Sequence, residues 1–138
     1  MDQNFTLDPR LAAETVLVCD LPLCRILLMD DARFPWLVLV PRLPGLSELN
    51  DLAARERNTL MEEISTCANI LREVAPCDKL NIGALGNIVR QLHVHVVARV
   101  EGDAAWPGPV WGSGAPKPYD DNWRGGMIRA LRTRLGLD

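Results

Sequence analysis

The sequence predicts an α+β fold: an antiparallel sheet of about five strands, one long helix packed on it, and a second helix near the C-terminus. Three observations carry this. Short apolar blocks bounded by turn residues recur before residue 41 and after residue 79. Between them lies one long segment whose apolar residues repeat at helical spacing. A last helical pattern follows a stretch rich in Gly, Pro and Trp. At 138 residues and 48% hydrophobic, the chain has material for one domain with a true core, spanning 1–138.

The elements follow in order. Thr15 to Cys19 forms a strand, stopped by Asp20-Leu21-Pro22, and Cys24 to Met29 forms a second. So short a connection predicts a hairpin. Asp30 to Pro35 is a turn, and Trp36 to Val40 is a third strand closed by Pro41 and Pro44-Gly45. Asp51 to Val74 is the long helix, with Leu60, Ile64, Cys67, Leu71 and Val74 on one stripe. Asn50 is its expected N-cap, and Asp51 suits the positive end of the helix dipole. Arg55, Arg57, Glu62, Glu63 and Arg72 belong to its solvated face. Lys79 to Ala84 and Gln91 to Val100 are the fourth and fifth strands, joined through the turn signal Gly86-Asn87. Residues 106–114 are irregular and pinned by tryptophans. Trp123 to Leu135 is the terminal helix, with Met127, Ile128, Leu131 and Leu135 on one face.

Composition excludes several function classes. Net charge is −3 and the pI is about 5.4, against a general nucleic-acid or membrane-surface binder. No apolar run is long enough to span a bilayer. The N-terminal residues lack a secretory signal pattern. The four cysteines, Cys19, Cys24, Cys67 and Cys77, form no Cys-x-x-Cys pair, so reduced thiols in a cytoplasmic protein are expected.

The chemistry concentrates in Gln91-Leu92-His93-Val94-His95-Val96-Val97, which holds the only two histidines. Strand side chains alternate, so Gln91, His93 and His95 are expected on one face and Leu92, Val94 and Val96 on the other. Imidazole attacks, accepts or donates protons near neutral pH. Two on one strand suggest phosphorus chemistry or a metal. The stretch resembles the signature of the histidine triad (HIT) family, His-φ-His-φ-His-φ-φ with φ apolar. Gln91 falls at the first position, His93 at the middle and His95 at the third. Leu92, Val94, Val96 and Val97 fill the apolar positions. Leu37 to Arg42 is similar to the family's apolar strand ending in Pro and a basic residue, and Leu46 to Leu49 to its entry into the long helix. The resemblance covers about residues 15–112, leaving about 113–138 as a C-terminal extension.

The resemblance implies a HIT-like fold, commonly paired into homodimers, and a set of roles. His93 would attack the α-phosphate of a nucleotide and form a covalent intermediate. His95 would contact phosphate oxygens and help handle the leaving group's proton. Gln91 departs from the pattern: an amide donates and accepts hydrogen bonds but does not titrate. It can keep an orienting role while losing any proton relay, which leaves normal activity, narrowed substrate choice or weakened hydrolysis with intact binding open, with retained activity favoured. Asn87 and Asn81 match positions near the phosphates, and Asp30 matches an acidic residue that binds ribose hydroxyls, with Asp31 as its neighbour in register. Trp106 matches a tryptophan that closes the site. Leu28, Phe34 and Leu37 are candidates for a base pocket and equally for the core.

These implications point to a nucleotide phosphohydrolase or nucleotidyl transferase that cleaves a phosphoramidate or phosphoanhydride bond. The expected partner is a small nucleotide substrate, with no metal or other cofactor, no nucleic acid and no membrane. Two other readings remain open here. One is a non-catalytic nucleotide-binding protein. The other is a zinc hydrolase built on His93-x-His95 with a third ligand from elsewhere.

Overall fold

The computed structural model describes residues 4–137. Five strands form one antiparallel sheet: β1 (Thr15–Asp20), β2 (Cys24–Met29), β3 (Trp36–Pro41), β4 (Lys79–Gly83) and β5 (Val94–Arg99). Their order is β1-β2-β3-β5-β4, so β5 inserts between β3 and β4. Three helices accompany the sheet: α1 (Pro9–Glu14), α2 (Ala54–Val74) and α3 (Asp121–Arg134). The expected α+β architecture is therefore present, with all five strands and both expected helices.

Side-chain alternation divides the interior in two. Leu37 and Leu39 of β3 face the same way as Val94, Val96 and Ala98 of β5. They meet Leu60, Ile64, Cys67 and Leu71 of α2, and Met127 and Leu131 of α3. Trp36, Val38 and Val40 face the opposite way, together with Val97. On that side no long helix covers the sheet. Phe5, Leu7 and Leu11 from the N-terminal segment and Val110 and Trp111 from the segment after β5 cover it instead. Because both faces are covered, β3 and β5 are buried along their whole lengths. That is why they read as near-continuous apolar runs.

Several expectations need correction. The long helix starts at Ala54, not Asp51: Leu49–Asp51 forms a separate 3-10 turn, and Asn50 lies inside it. Glu56 reaches back to the backbone N–H of Ala53 at 3.0 Å, so the first turn of α2 is capped by its own glutamate. The fifth strand starts at Val94, so Gln91 and His93 precede it. Helix α1 was not expected. Pro9 at its first position and Asp8 accepting from the Arg10 N–H at 2.8 Å are its start signals. At six residues it is too short to show a periodic stripe.

Glu63 was assigned to the solvated face of α2 but is buried. Its carboxylate accepts from the backbone N–H groups of Leu23 and Cys24 at 2.9 and 2.8 Å, pinning the β1–β2 turn to the helix. All four cysteines are free thiols, and burial pushes that of Cys67 up to about 12. Among the described residues, no helix is long and apolar enough to cross a membrane.

Removing the Glu63 carboxylate strands two buried backbone donors, each worth about 1–3 kcal/mol. Glu63→Ala is expected to lower the unfolding free energy by about 2–4 kcal/mol in urea titrations. Glu62→Ala, one position along on the exposed face, should stay within about 0.5 kcal/mol of the parent.

Candidate active site

His95 projects from β5 into the face lacking a long helix. In the ladder it lies opposite Val38 on β3 and Gly83 on β4. Its Nδ1 is 3.0 Å from the indole Nε1 of Trp36, also on β3. An indole N–H only donates, so Nδ1 must accept and the His95 proton sits on Nε2. Burial pushes the His95 pKa down to about 3, with the neighbouring His93 adding to the shift. The ring is therefore neutral at physiological pH and presents an N–H.

His93 takes the opposite tautomer. Its Nδ1 lies 2.7 Å from the backbone carbonyl oxygen of Gln91. A carbonyl only accepts, so Nδ1 carries a proton, and in the neutral ring the lone pair is on Nε2. The two rings meet edge to face with centroids 4.8 Å apart, and each residue is 6% exposed. With both Nδ1 atoms committed, Nε2 is the nitrogen each ring leaves uncommitted: a hydrogen-bond donor on His95 and, in the neutral ring, a lone pair on His93. Trp111 packs against His95 from the other side, with centroids 5.4 Å apart.

Both histidines line a cleft of about 570 Å³. Helix α1 forms one wall through Leu11, Ala13 and Glu14, and the loop 85–89 forms another. Asp30, Asp31 and Arg33 stand at one end, and the segment 110–118 closes the far side. Three carboxylates and one arginine line the cleft, and that arginine is occupied. Arg33 makes a two-point salt bridge to Asp31 at 3.0 and 2.8 Å and donates to the Ser113 carbonyl at 3.2 Å. Burial opposes the charge on Asp31, but bonds from Arg33 and the Lys117 N–H hold its carboxyl below the usual range. Asp31 is thus a bracket for the C-terminal segment.

The structure brings some of the expected residues together and separates others. His93, His95, Asn87 and Asp30 all line the cleft. Asn87 is exposed on the loop that turns at Gly86, whose φ is +75°. Asp30 is partly engaged: Oδ1 accepts from the Tyr119 N–H at 3.0 Å, and Oδ2 is 3.5 Å from Arg124. Gln91 turns its side chain away from the histidines, toward Thr6 and Asp8. The shared face expected of Gln91, His93 and His95 therefore holds only for the two histidines, because β5 has not begun at residue 91.

Asn81 and Trp106 do not line the cleft. The Asn81 side-chain oxygen accepts from Arg99 at 2.9 Å, and Trp106 stacks over the same guanidinium at 5.6 Å. Arg99 is buried and salt-bridged to Asp103, so both residues serve that cluster. Leu28, Phe34 and Leu37 are core residues, and Leu28 and Leu37 lie on the helix side of the sheet. Trp36 and Trp111 are the site residues that sequence reasoning missed. Trp36 alternates with Val38 and Val40 on the histidine face, but pairing it with His95 requires the β3–β5 register. The zinc alternative lacks its donor set: among the described residues, no group of three or more His, Cys, Asp or Glu side chains is placed to hold a metal.

A neutral buried His95 has a consequence for folding. The unfolded chain binds a proton there below about pH 6.5, while the folded chain resists protonation down to about 3. Stability contributed at this position is therefore lost as pH falls below 6.5, by about 1.4 kcal/mol per pH unit. Between pH 7 and 5 the parent is expected to lose about 2 kcal/mol more than His95→Asn, measured by urea unfolding at each pH. An equal loss in both proteins would show that His95 protonates normally in the folded state.

Comparisons with known proteins agree with this fold. The HIT domain model matches residues 10–102. A histidine triad protein from Bradyrhizobium japonicum is 48% identical, with a TM-score of 0.92 over 94% of this chain and 97% of that one. A histidine triad protein from Sinorhizobium meliloti 1021 is 43% identical, with a TM-score of 0.93 over 95% and 97%. One from Marinobacter aquaeolei VT8 is 41% identical, with a TM-score of 0.93 over 96% of each chain. Comparison with curated proteins gave no match. The five-stranded sheet, the paired histidines and a domain match over most of the chain place it in the HIT domain family.

Proposed function

We propose that this chain is a nucleotide phosphohydrolase or nucleotidyl transferase that works through a covalent intermediate on His93. The observation that carries the reading is the pair of opposed tautomers. In the neutral ring Nε2 of His93 holds a lone pair for attack on phosphorus, and His95, whose ring centroid lies 4.8 Å away, offers Nε2–H as a donor to a phosphoryl oxygen. Attack forms the Nε2–P bond and breaks the bond from phosphorus to the leaving group. Water then cleaves Nε2–P, returning His93 and releasing the nucleoside monophosphate. His95 acts by hydrogen bonding rather than proton transfer. With Trp36 donating to Nδ1, loss of the Nε2 proton would create an imidazolate, so the leaving group takes its proton from solvent. Gln91 occupies the first triad position, and its backbone carbonyl does the orienting.

The charge of the cleft selects among leaving groups. Glu14 and Asp30 face it, and the only lining arginine is bound to Asp31. A polyphosphate would bring several negative charges to two carboxylates with no uncommitted cation. An amine leaving group, neutral or cationic once released, meets no such repulsion. The favoured substrate is therefore a nucleoside phosphoramidate, with Asn87 donating to phosphate and Asp30 accepting from ribose.

We also propose a cytoplasmic homodimer. The four free thiols suit a reducing compartment. Strand β4 is a sheet edge with Ile82 48% exposed, and an uncapped apolar edge favours pairing with a second copy.

Intact-mass spectrometry after a brief quench with an adenosine phosphoramidate tests the chemistry. The parent is expected to carry a nucleotidyl adduct that His93→Ala lacks. A dinucleoside polyphosphate should turn over at least about tenfold less efficiently. Nucleotide binding without adduct or product across both substrates would replace the enzyme with a binding protein.

A further inference from the structure

Gln91 carries two functions on one residue, and its side chain has no part in orienting His93. The carboxamide oxygen accepts from the Asp8 backbone N–H at 2.8 Å. The carboxamide nitrogen donates to the Thr6 carbonyl at 2.8 Å. These two backbone groups flank Leu7, whose side chain packs on the cluster beneath the cleft. A carbonyl and an N–H on either side of one residue are what an extended chain offers to a neighbouring strand. Gln91 thus substitutes one planar amide for a strand. A glutamate would lack the donor, and an alanine both groups.

The segment so held is a wall of the cleft. Leu11, Ala13 and Glu14 of α1 line it, and Arg10 donates to the Ile88 carbonyl at 3.1 Å, next to Asn87. Helix α1 has only six residues, far below the length at which a helix persists unaided. Its position must come from ties to the rest of the fold, and the Gln91 amide reaches across 83 and 85 residues of sequence to supply two of them.

We infer that Gln91 is a positioning residue: its amide latches residues 6–8 so that α1 becomes a fixed wall of the cleft, while its carbonyl separately orients His93. The side chain then governs how tightly substrate is held. The backbone carbonyl, which no substitution removes, governs attack. The kinetic half of this inference rests on the nucleotide reading above, and the latch itself does not.

Gln91→Ala and Gln91→Glu test both halves, the second keeping side-chain size if the first fails to fold. Hydrogen exchange by NMR is the readout that needs no substrate. The Asp8 and Ala12 amides should exchange about tenfold or more faster in Gln91→Ala, and by less in Gln91→Glu, which keeps the acceptor for the Asp8 N–H, with the amides of β5 unchanged. With an adenosine phosphoramidate, KM should rise about tenfold while kcat stays within about threefold, the signature of lost binding common to ground and transition states. Unchanged exchange at Asp8 in Gln91→Ala overturns the latch. A fall in kcat at constant KM overturns the division of labour, since the amide would then act at the reacting atoms. If the parent itself shows no turnover, the nucleotide reading fails and exchange alone decides the latch.

Discussion

An imidazole used as a nucleophile must keep its second nitrogen protonated and held, and a backbone carbonyl meets that need without titrating. In this chain the 2.7 Å contact between His93 Nδ1 and the Gln91 carbonyl meets that need for the nucleophile we propose. Everything else in the site is arranged around it. Residues 91–93 lie outside the β-ladder, and there the Gln91 carbonyl meets the ring two residues on. The chain must enter the ladder at Val94 so that His95 is delivered beside Val38 and Gly83. Trp36, two residues before Val38 on the same face, then settles the tautomer of His95. A shift of one residue in the β3–β5 register would turn His95 into the helix-side core and bury Val94 or Val96 in the cleft.

The cleft exists because the two faces of the sheet are covered differently. On one face α2 and α3 supply a continuous apolar layer, anchored by Leu71 and Leu131. On the other, two irregular segments approach from opposite ends of the chain and leave a gap between them. The N-terminal segment is held by Gln91 and Arg10, and the C-terminal segment by the Asp31–Arg33 pair and by Asp30. Polar side chains do the fastening because each must capture backbone groups that no regular ladder satisfies. The same fastening consumes most of the charge available. Arg33 is held by Asp31, and what remains facing the cleft is acidic, which is the basis of the proposed preference for a phosphoramidate.

Much of this was legible in the sequence. The five strands, both large helices and the pairing of His93 with His95 follow from periodicity, which depends on residues near one another in the chain. The motif that resembles the HIT signature carried the family. What escaped depends on contacts across long separations. Trp36 and His95 are 59 residues apart, and nothing in either neighbourhood announces their bond. Trp106 and Trp111 look equivalent in a Gly- and Pro-rich stretch, but Arg99 draws the first to itself and His95 meets the second. Asn81 is diverted by the same buried arginine. Glu63 sits in a helical pattern as an ordinary charge, and only the turn folded back upon it makes it interior. Helix α1 is too short to declare itself, and the side chain of Gln91 finds its use only when that helix is in place.

The central claim is that the two rings hold opposite tautomers, His93 with its proton on Nδ1 and His95 with its proton on Nε2. Long-range proton–nitrogen correlation NMR at pH 7 reads this directly, since protonated and unprotonated ring nitrogens resonate far apart. The expected spectrum shows His93 protonated on Nδ1 with a free Nε2, and His95 protonated on Nε2 with a free Nδ1. A His93 ring protonated on Nε2, or a doubly protonated His95, would leave no aligned nucleophile and donor in the cleft and would contradict the account.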